Sequence, residues 1–484
     1  MKRIFACCIA VLSVTWCAAV RADTHYVSPG GSEEPPYLTP ETAARSIQSA
    51  LDVASPGDTV SAAAGDYRGR IAMGPALSLV GCGPEATRIW GAIEAGVDGK
   101  IEGVGVHQDC PPEDPAYAWV AIKGPRTGGL TVSRCRISGT YEKGIKSMAD
   151  TGFVLVLETE IRGIRTGLSP VAISAEGTFH GLRSVVWVID RCTVSDNALA
   201  VGTSDLDGLW VTRSRFFGNG VAVSVWCRAS LVACQIVNNA VGVSLGYDGG
   251  APTLVESCLI AGNTEAGVSC SEMASMDLEN CTITGNGRGL ELIYTQPYTQ
   301  MAVGCIIWGN TQDVRVEGRE PSFDILAVGY SDIGGWEGNE NIDTDPLFLD
   351  PGTGNFRLRP DSPCIDYDTP YAASLEAAYD LDGGPRVAYG GKGDYRLVDM
   401  GAYEYQINRL SPGPGPAQLT LTWSSSERST YSIFYTDDLF NWHLAIASFP
   451  SSGNQTTSWL DDGSLTGVPP LLAPKRFYRL LENP

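Results

Sequence analysis

Between Lys123 and Arg191 the chain carries ten basic and six acidic residues, a positive window in a sequence whose formal charge is −21. Part of that window explains itself. Arg134 and Arg136 flank Cys135, Glu158 and Glu160 flank Thr159, and Arg191 flanks Cys192; strands stacked in register would set them in an alternating Arg, Glu, Arg ladder. Lys143, Lys146, Arg162, Arg165, Arg183 and His180 are left without an evident partner. Such groups suit one kind of chemistry: a cation neutralises a carboxylate so that the adjacent C–H turns acidic, and a base removes the proton. Lys146, beside an inward Ile145, and Arg165 and Arg183, in an over-long connection, are the catalytic candidates. Lys143, Arg162 and His180 are expected to bind, and Trp210 and Trp226, at outward positions between inward neighbours, offer faces on which a sugar ring could stack. Other chemistries lack support. The four histidines are not spaced as ligand pairs, and no GxSxG, Cys-His or phosphate-loop pattern occurs.

The elements that must position these groups are legible from a repeat. RCTVSDN, RSRFFGN, ACQIVNN, SCLIAGN, NCTITGN and GCIIWGN end at Asn197, Asn219, Asn239, Asn263, Asn286 and Asn310. Each opens on a small residue (Cys192, Ser214, Cys234, Cys258, Cys281, Cys305), and these are spaced 22, 20, 24, 23 and 24 apart. A period in the twenties means a solenoid. Short runs with period-two alternation, such as Leu209, Val211, Phe216, Val223 and Val225, predict three strands per coil, hence a right-handed parallel β-helix. The Gly-Asn or Asn-Asn step is expected to hold a left-handed Asn, with its amide bonded up the stack at about 4.8 Å spacing. Fainter copies, CRISGT at 135–140 and TEIRGI at 159–164, precede the array.

Composition narrows the setting. Strong negative charge argues against nucleic acid as a partner, which needs a basic footprint. Residues 1–22 read as a secretory signal: Lys2 and Arg3, an apolar core too short to span a bilayer permanently, then Val20-Arg21-Ala22. A lipidated Cys17 is the alternative, with the bulky Trp16 against it. The expectation is an exported protein, extracellular, periplasmic or at the cell surface, not membrane-spanning. The cut chain would keep eleven cysteines. Six occupy the inward slot, where parallel side chains about 4.8 Å apart are too far apart for disulfides and cannot surround a metal, so they read as small buried hydrophobes.

Before the array, Thr39-Pro40-Glu41 reads as a helix start, and Ile47, Ala50, Leu51 and Ala54 as an apolar stripe that caps the first coil. The stretch SIQSALDVASPGDTV, then AGDY, then LSLVGCG resembles the opening of the pectate-lyase-like β-helix proteins, over roughly 26–405. That superfamily contains polysaccharide lyases, galacturonases, pectin esterases and epimerases, along with surface proteins of no known chemistry. The galacturonase acid clusters and the epimerase Asp-Pro-His-Glu motif have no counterpart here. Two loops interrupt the period, HQDCPPEDP at 107–115 and the excess at 165–183, and long loops on a rigid solenoid are where sites are built.

From Asp343, DTDPLFLDPGTGNFRLRPDSPCID, DLDGGPRVAYGG and VDMGAYEY resemble the closing segment of exported β-helix proteins of the choice-of-anchor kind, expected to cap the last coil. Asp380 and Asp382 in one DLDG echo Asp205 and Asp207 in another, which makes calcium the one cofactor hinted at, without the distal glutamate of the calcium loop. SPGPGP, 411–416, reads as a stiff linker. Five alternating runs beyond it predict a small β-sandwich resembling fibronectin type III modules, with Trp423 in its core. The expected organisation is therefore a signal at 1–22, a capped β-helix with its closing segment at 23–407, and a β-sandwich at 408–484.

The resemblance implies a protein that binds, and as an enzyme would cleave, an acidic uronate-containing polysaccharide, with arginine serving as the base in several such lyases. The competing reading is a non-catalytic scaffold or adhesin at the cell surface or in a matrix, whose partner is a surface glycan.

Overall fold

The computed structural model describes residues 22–483 apart from 109–119, 149–150, 166, 168, 177–183, 205, 207, 247–251, 272–273, 294–299, 318–325, 337, 339, 368–378, 388–396, 416, 426–429, 453–455 and 474. Residues 1–21 of the expected signal at 1–22, together with His180, Arg183, Asp205 and Asp207, lie outside the described residues.

Alternation of period two, with apolar residues inward, produces, among the described residues, three parallel sheets of 13, 11 and 12 strands that run the length of a solenoid. Sheet A begins at Thr24–Val27 and ends at Leu326–Gly329; sheet B runs from Gly65–Arg68 to Asp332–Ile333; sheet C runs from Ile71–Ala72 to Gln312–Val316. Each coil contributes one strand to each sheet in turn, so the inward rows of Val, Ile and Leu merge into one continuous core.

Two side-chain ladders pin the register. In the first, Asn197, Asn219, Asn239, Asn263 and Asn286 each donate from both backbone N and Nδ2 to the Oδ1 of the next rung, at 2.8–3.0 Å. The last rung, Asn310, donates in the same way to Asp313 Oδ1 at 3.0 and 2.9 Å. The left-handed residue is not the ladder Asn but the one before it: Asp196, Gly218, Asn238, Gly262, Gly285 and Gly309 have φ of 58, 68, 56, 67, 66 and 72°. A left-handed residue turns the chain, and the next side chain is thereby aimed into the stack.

The second ladder corrects the expectation that the inward cysteines are only small hydrophobes. They are buried and reduced, yet each does polar work. Backbone N of Cys135, Cys192, Cys234, Cys281 and Cys305 donates to Thr159 Oγ1, Ser214 Oγ, Cys258 Sγ, Cys305 Sγ and Ser331 Oγ of the following coil. Those atoms in turn donate to the carbonyl two residues back in their own chain, as in Ser214 to Thr212 at 2.8 Å and Cys258 to Glu256 at 3.2 Å. The slot therefore takes Cys, Ser or Thr, the small side chains that both accept and donate. Burial pushes the Cys135 thiol up to about 11 and the Cys192 thiol up to about 12.

Four departures from the sequence reading concern the ends. Thr39 caps a short 3-10 turn, Pro40–Thr42, and the helix α1 starts separately, Ile47–Val53, capped by the Ser46 side chain and covering the first coil with Ile47, Ala50 and Leu51. The closing segment does more than finish the last coil. It folds back along the outer face of sheet B, so that Leu259, Ala261 and Ile306, outward on their strands, are buried against Ala402, Tyr403, Leu358 and Met400. Bonds from Ala402 N to Thr282 Oγ1 (2.9 Å) and Gly401 N to Gly304 O (2.8 Å) hold it there. The supposed linker is a hairpin: Asn408–Pro412 pairs antiparallel with Leu419–Ser424, closed by Gly413 N to Gln418 O at 2.9 Å. Finally, among the described residues past 408 there are six strands rather than the five runs expected, in two three-stranded antiparallel sheets, with Leu421, Trp423 and Trp459 from one and Tyr431 and Ile433 from the other in one core.

Candidate functional site

Register decides which basic residues meet. On the outer face of sheet C one row reads Glu94, Lys123, Lys146, Ser174, Gly202, Ser224, Ser244, Ser269, Glu291, Arg315. Both ends are closed by ion pairs, Lys123 with Glu94 at 3.0 Å and Arg315 with Glu291. Between Lys146 and Glu291 the row holds only serine and glycine. Trp226 stands beside it, two residues past Ser224 with buried Val225 between, and 54% exposed. Its indole lies over Gly246, where a Cβ would come within 2.6 Å of the ring. Three coil steps separate Lys146 from Ser224, about 14 Å at the usual strand spacing.

At the head of this floor sits a cluster that the sequence reading only half identified. Lys146 has a partner after all: its Nζ lies 3.1 Å from Glu176 Oε2. Ser174 Oγ donates to Glu176 Oε1 at 2.6 Å. Burial works against the charge of Glu176, and the Ser174 hydroxyl and the Lys146 and Lys143 ammoniums outweigh it, holding the carboxyl below its ordinary value. Lys143 is buried and donates to the Ser169 carbonyl. Burial holds its ammonium below the usual lysine value, against the pull of Glu142 and Glu176. Burial thus eases the loss of a proton from Lys143, which was expected only to bind. Glu176 and Ser174 were missed. Aligning VAISAE on KGIKSM, coil on coil, would have put both beside Lys146.

The other expected residues lie elsewhere. Arg165, expected to be unpartnered, donates Nε to Asp196 O and Nη2 to Gly218 O (3.2 Å), stapling the turns of the next two coils. Arg162 faces out from sheet B, in the row Ser138, Arg162, Ser195, with Glu160 at 3.8 Å. Trp210 is on sheet A, between Val188 and Ser230, a different face from Trp226. The Arg-Glu ladder is present: Arg136 with Glu160 at 2.6 Å, Arg191 with Glu158 at 2.8 Å and Arg213 with Asp190 at 2.7 Å, while Arg134 turns back to Glu102. Lysines therefore head sheet C, and arginines serve the ladder and the turns.

The DLDG at 380–383 is built as a turn. Asp380 accepts from the backbone N of Asp382 (3.1 Å), Gly384 (2.7 Å) and Glu404 (2.9 Å), and Asp382 is held by Arg357. Among the described residues no group of three or more His, Cys, Asp or Glu is arranged to hold a metal ion.

Residues 121–323 match the family model described as a right handed beta helix region. A search of curated protein sequences finds no match. Among solved structures, the chain is similar to a rhamnogalacturonan lyase (12% identity, covering 68% of this chain and 91% of that one, TM-score 0.39). It is also similar to the catalytic domain of a GH87 alpha-1,3-glucanase in complex with nigerose (10%, 67% and 70%, TM-score 0.39). A third is the tailspike protein gp49 of Acinetobacter baumannii bacteriophage Fri1, a capsular polysaccharide depolymerase (10%, 92% and 80%, TM-score 0.30).

Proposed function

We propose that this is an exported β-helix protein that binds an acidic, uronate-containing polysaccharide along the outer face of sheet C. The observation that carries the reading is the row itself: a lysine-headed strip of serine and glycine, with an exposed tryptophan beside it and charged pairs at both ends. A floor that repeats once per coil suits a polymer that repeats along its length. Lys146 supplies the cation for a uronate carboxylate, the serine hydroxyls donate and accept toward sugar hydroxyls, and Trp226 offers a ring face. For β-elimination, Lys143 in its neutral form would take the proton from the carbon beside the carboxylate, Lys146, released from Glu176, would stabilise the charge that develops, and the double bond would form as the C–O bond to the leaving sugar breaks, its oxygen departing with the proton that Lys143 took. On this reading the leader at 1–22 is removed, 23–407 is the working rod with a choice-of-anchor-like closing segment, and 408–484 is a fibronectin-type sandwich that positions it. Calcium is the one cofactor in this reading, on the strength of the two DLDG motifs alone.

The test is retention of the chain lacking 1–22 on alginate and pectate columns, with unsaturated-product absorbance read in parallel, with and without calcium. Lys146→Ala and Trp226→Ala should each elute earlier than the parent, and Trp210→Ala, on sheet A, should not. Retention should weaken with salt, because exposed charges are screened over about 8 Å at physiological ionic strength. Equal losses for Trp210→Ala and Trp226→Ala, or a parent never retained, would remove the sheet C site. Retention without any product would leave the non-catalytic scaffold, a reading favoured by the closed Lys146–Glu176 pair.

A further inference from the structure

At its N-terminal end the first strand of the solenoid is tied to the turn before the second by the side chain of Asp58. Asp58 is buried at the turn that leads into Thr59–Ala62. Its Oδ1 accepts the backbone N–H of Asp23 at 2.8 Å, and its Oδ2 accepts that of Ser55 at 2.8 Å and faces Nε2 of buried His25 at 3.1 Å. The other ring nitrogen of His25 is 2.6 Å from the Pro36 carbonyl, so both ring nitrogens meet acceptors. Asp23 is itself fixed in the stack, its carbonyl accepting from Thr59 N at 2.9 Å. The nitrogen that reaches Asp58 is therefore the one that cutting after Ala22 would free.

We propose that the Asp23 amino group, once released, is a built-in ligand of Asp58, and that processing tightens the cap of the solenoid by turning an amide bond to a buried carboxylate into an ion pair. The proposal rests on the export reading, which places the cut between Ala22 and Asp23. Hydrolysis of that bond adds OH to the Ala22 carbonyl carbon and H to the Asp23 nitrogen, and the amine takes one more proton from solvent. The resulting ammonium keeps the N–H that already points at Asp58 and adds a full charge; charge-assisted bonds are roughly twice as strong as neutral ones. The location gives the gain its effect. Thr24–Val27 is the first strand of sheet A, paired along its length with Thr59–Ala62 on one side and held on the other by a single bridge to Ala44 and the bond from Tyr26 N to Tyr37 O at 2.7 Å, and strands at the end of a sheet open first. The titratable groups facing the new ammonium are Asp58, His25 across the same carboxylate, and the carboxylate of Asp23 itself. A partner carboxylate raises the deprotonation point of an amine, so the added protection is present below about pH 8, the ordinary α-amino value, and is lost as pH rises through the shifted one.

The experiment uses the chain from Asp23 to Pro484, released from a cleavable tag that leaves Asp23 first, with its amine free or acetylated. Hydrogen exchange of the Thr24–Val27 amides and the rate of amine acylation are read for both. The free-amine chain should protect the strand about tenfold better than the acetylated one at pH 7. Its amine should acylate at least tenfold more slowly than an exposed α-amine, as an upward shift of about one unit requires. Both differences should vanish in Asp58→Asn and survive in His25→Gln. Equal protection in free and acetylated chains, or an amine that reacts as an exposed one, overturns the proposal, and that comparison needs no variant to fold. Mass spectrometry of the terminus made in cells reads the export step separately: a different native terminus would end that reading while leaving the Asp23–Asp58 result standing.

Discussion

Asn263→Ala removes one rung from the middle of the amide ladder, and the cost can be worked bond by bond. Asn263 is fully buried. Its Oδ1 accepts from Asn239 N and Asn239 Nδ2, each at 3.0 Å; its Nδ2 donates to Ile236 O at 3.2 Å and Asn286 Oδ1 at 2.8 Å. After truncation Asn239 Nδ2 keeps the carbonyls of Phe216 and Val237, and Asn286 Oδ1 keeps the backbone N of residue 263. The Asn239 backbone N–H, however, loses its acceptor inside a buried stack. One orphaned buried donor costs about 1–3 kcal/mol, and the partly compensated losses add about 1 kcal/mol, for about 2–4 kcal/mol in total. No backbone strain enters, because Gly262 rather than Asn263 carries the positive φ. Urea unfolding should show a lower midpoint at unchanged slope, and hydrogen exchange should report faster opening at Asn239 in particular. Asn263→Asp should do no better: its carboxylate still accepts from Asn239 but faces two oxygens, Ile236 O and Asn286 Oδ1, with no proton to give. A variant with the parent's midpoint and the parent's exchange at Asn239 would refute the ladder as a source of stability.

Other outcomes follow from the same geometry. Cys258→Ser should cost less than Cys258→Ala, although serine is the more polar residue, because only the hydroxyl can replace the sulfur that accepts from Cys234 N and donates to Glu256 O; thermal melts in which Ala is the milder change would contradict this. Alkylation without denaturant should miss Cys234, Cys258 and Cys281, which mass spectrometry of the labelled chain reads directly. Gly262→Ala should destabilise by about 1–2 kcal/mol, since its φ of 67° is left-handed and a Cβ would meet Asn238 Oδ1 at 2.5 Å; an unchanged urea midpoint would count against it. The closing segment should loosen as pH rises. Burial pushes the carboxyls of Asp332 and Asp399 up to about 7. Between about pH 4 and 7 the unfolded chain then ionises these groups before the folded one does, so stability falls across that window and levels off above it. Hydrogen exchange of 355–365 against pH should show the fall, and Asp332→Asn should flatten it.

The coil period, the inward slots and the amide ladder were legible because each repeats a residue type at a fixed offset. What the repeat could not show was partnership across coils of unequal length. Lys146 and Glu176 are 30 positions apart and adjacent only once sheet C is in register. Arg165 looked free because its acceptors are main-chain carbonyls, Asp196 O and Gly218 O, which no side-chain pattern marks. The linker reading of 411–416 failed for a similar reason: Pro412 can end an edge strand, since its missing N–H faces away from the pairing, and composition alone does not distinguish that from a spacer. The closing segment was misplaced because Leu259, Ala261 and Ile306 were read only as members of the repeat, not as outward residues too apolar to be left in water.

The amide ladder also has a direction. From rung to rung the donors, a backbone N–H and an Nδ2, always sit on the N-terminal side and the accepting Oδ1 on the C-terminal side, and the series stops at Asp313, a carboxylate that accepts from Asn310 and has nothing to pass on. Such a stack is tolerant of length but not of orientation. A whole coil duplicated between Asn239 and Asn263 would arrive with an acceptor for the coil before it and donors for the coil after. A coil appended beyond Asn310 would have to evict the aspartate first. The molecule thus marks its own last rung chemically, and the rod can grow or shrink from within while its terminus stays where the carboxylate puts it.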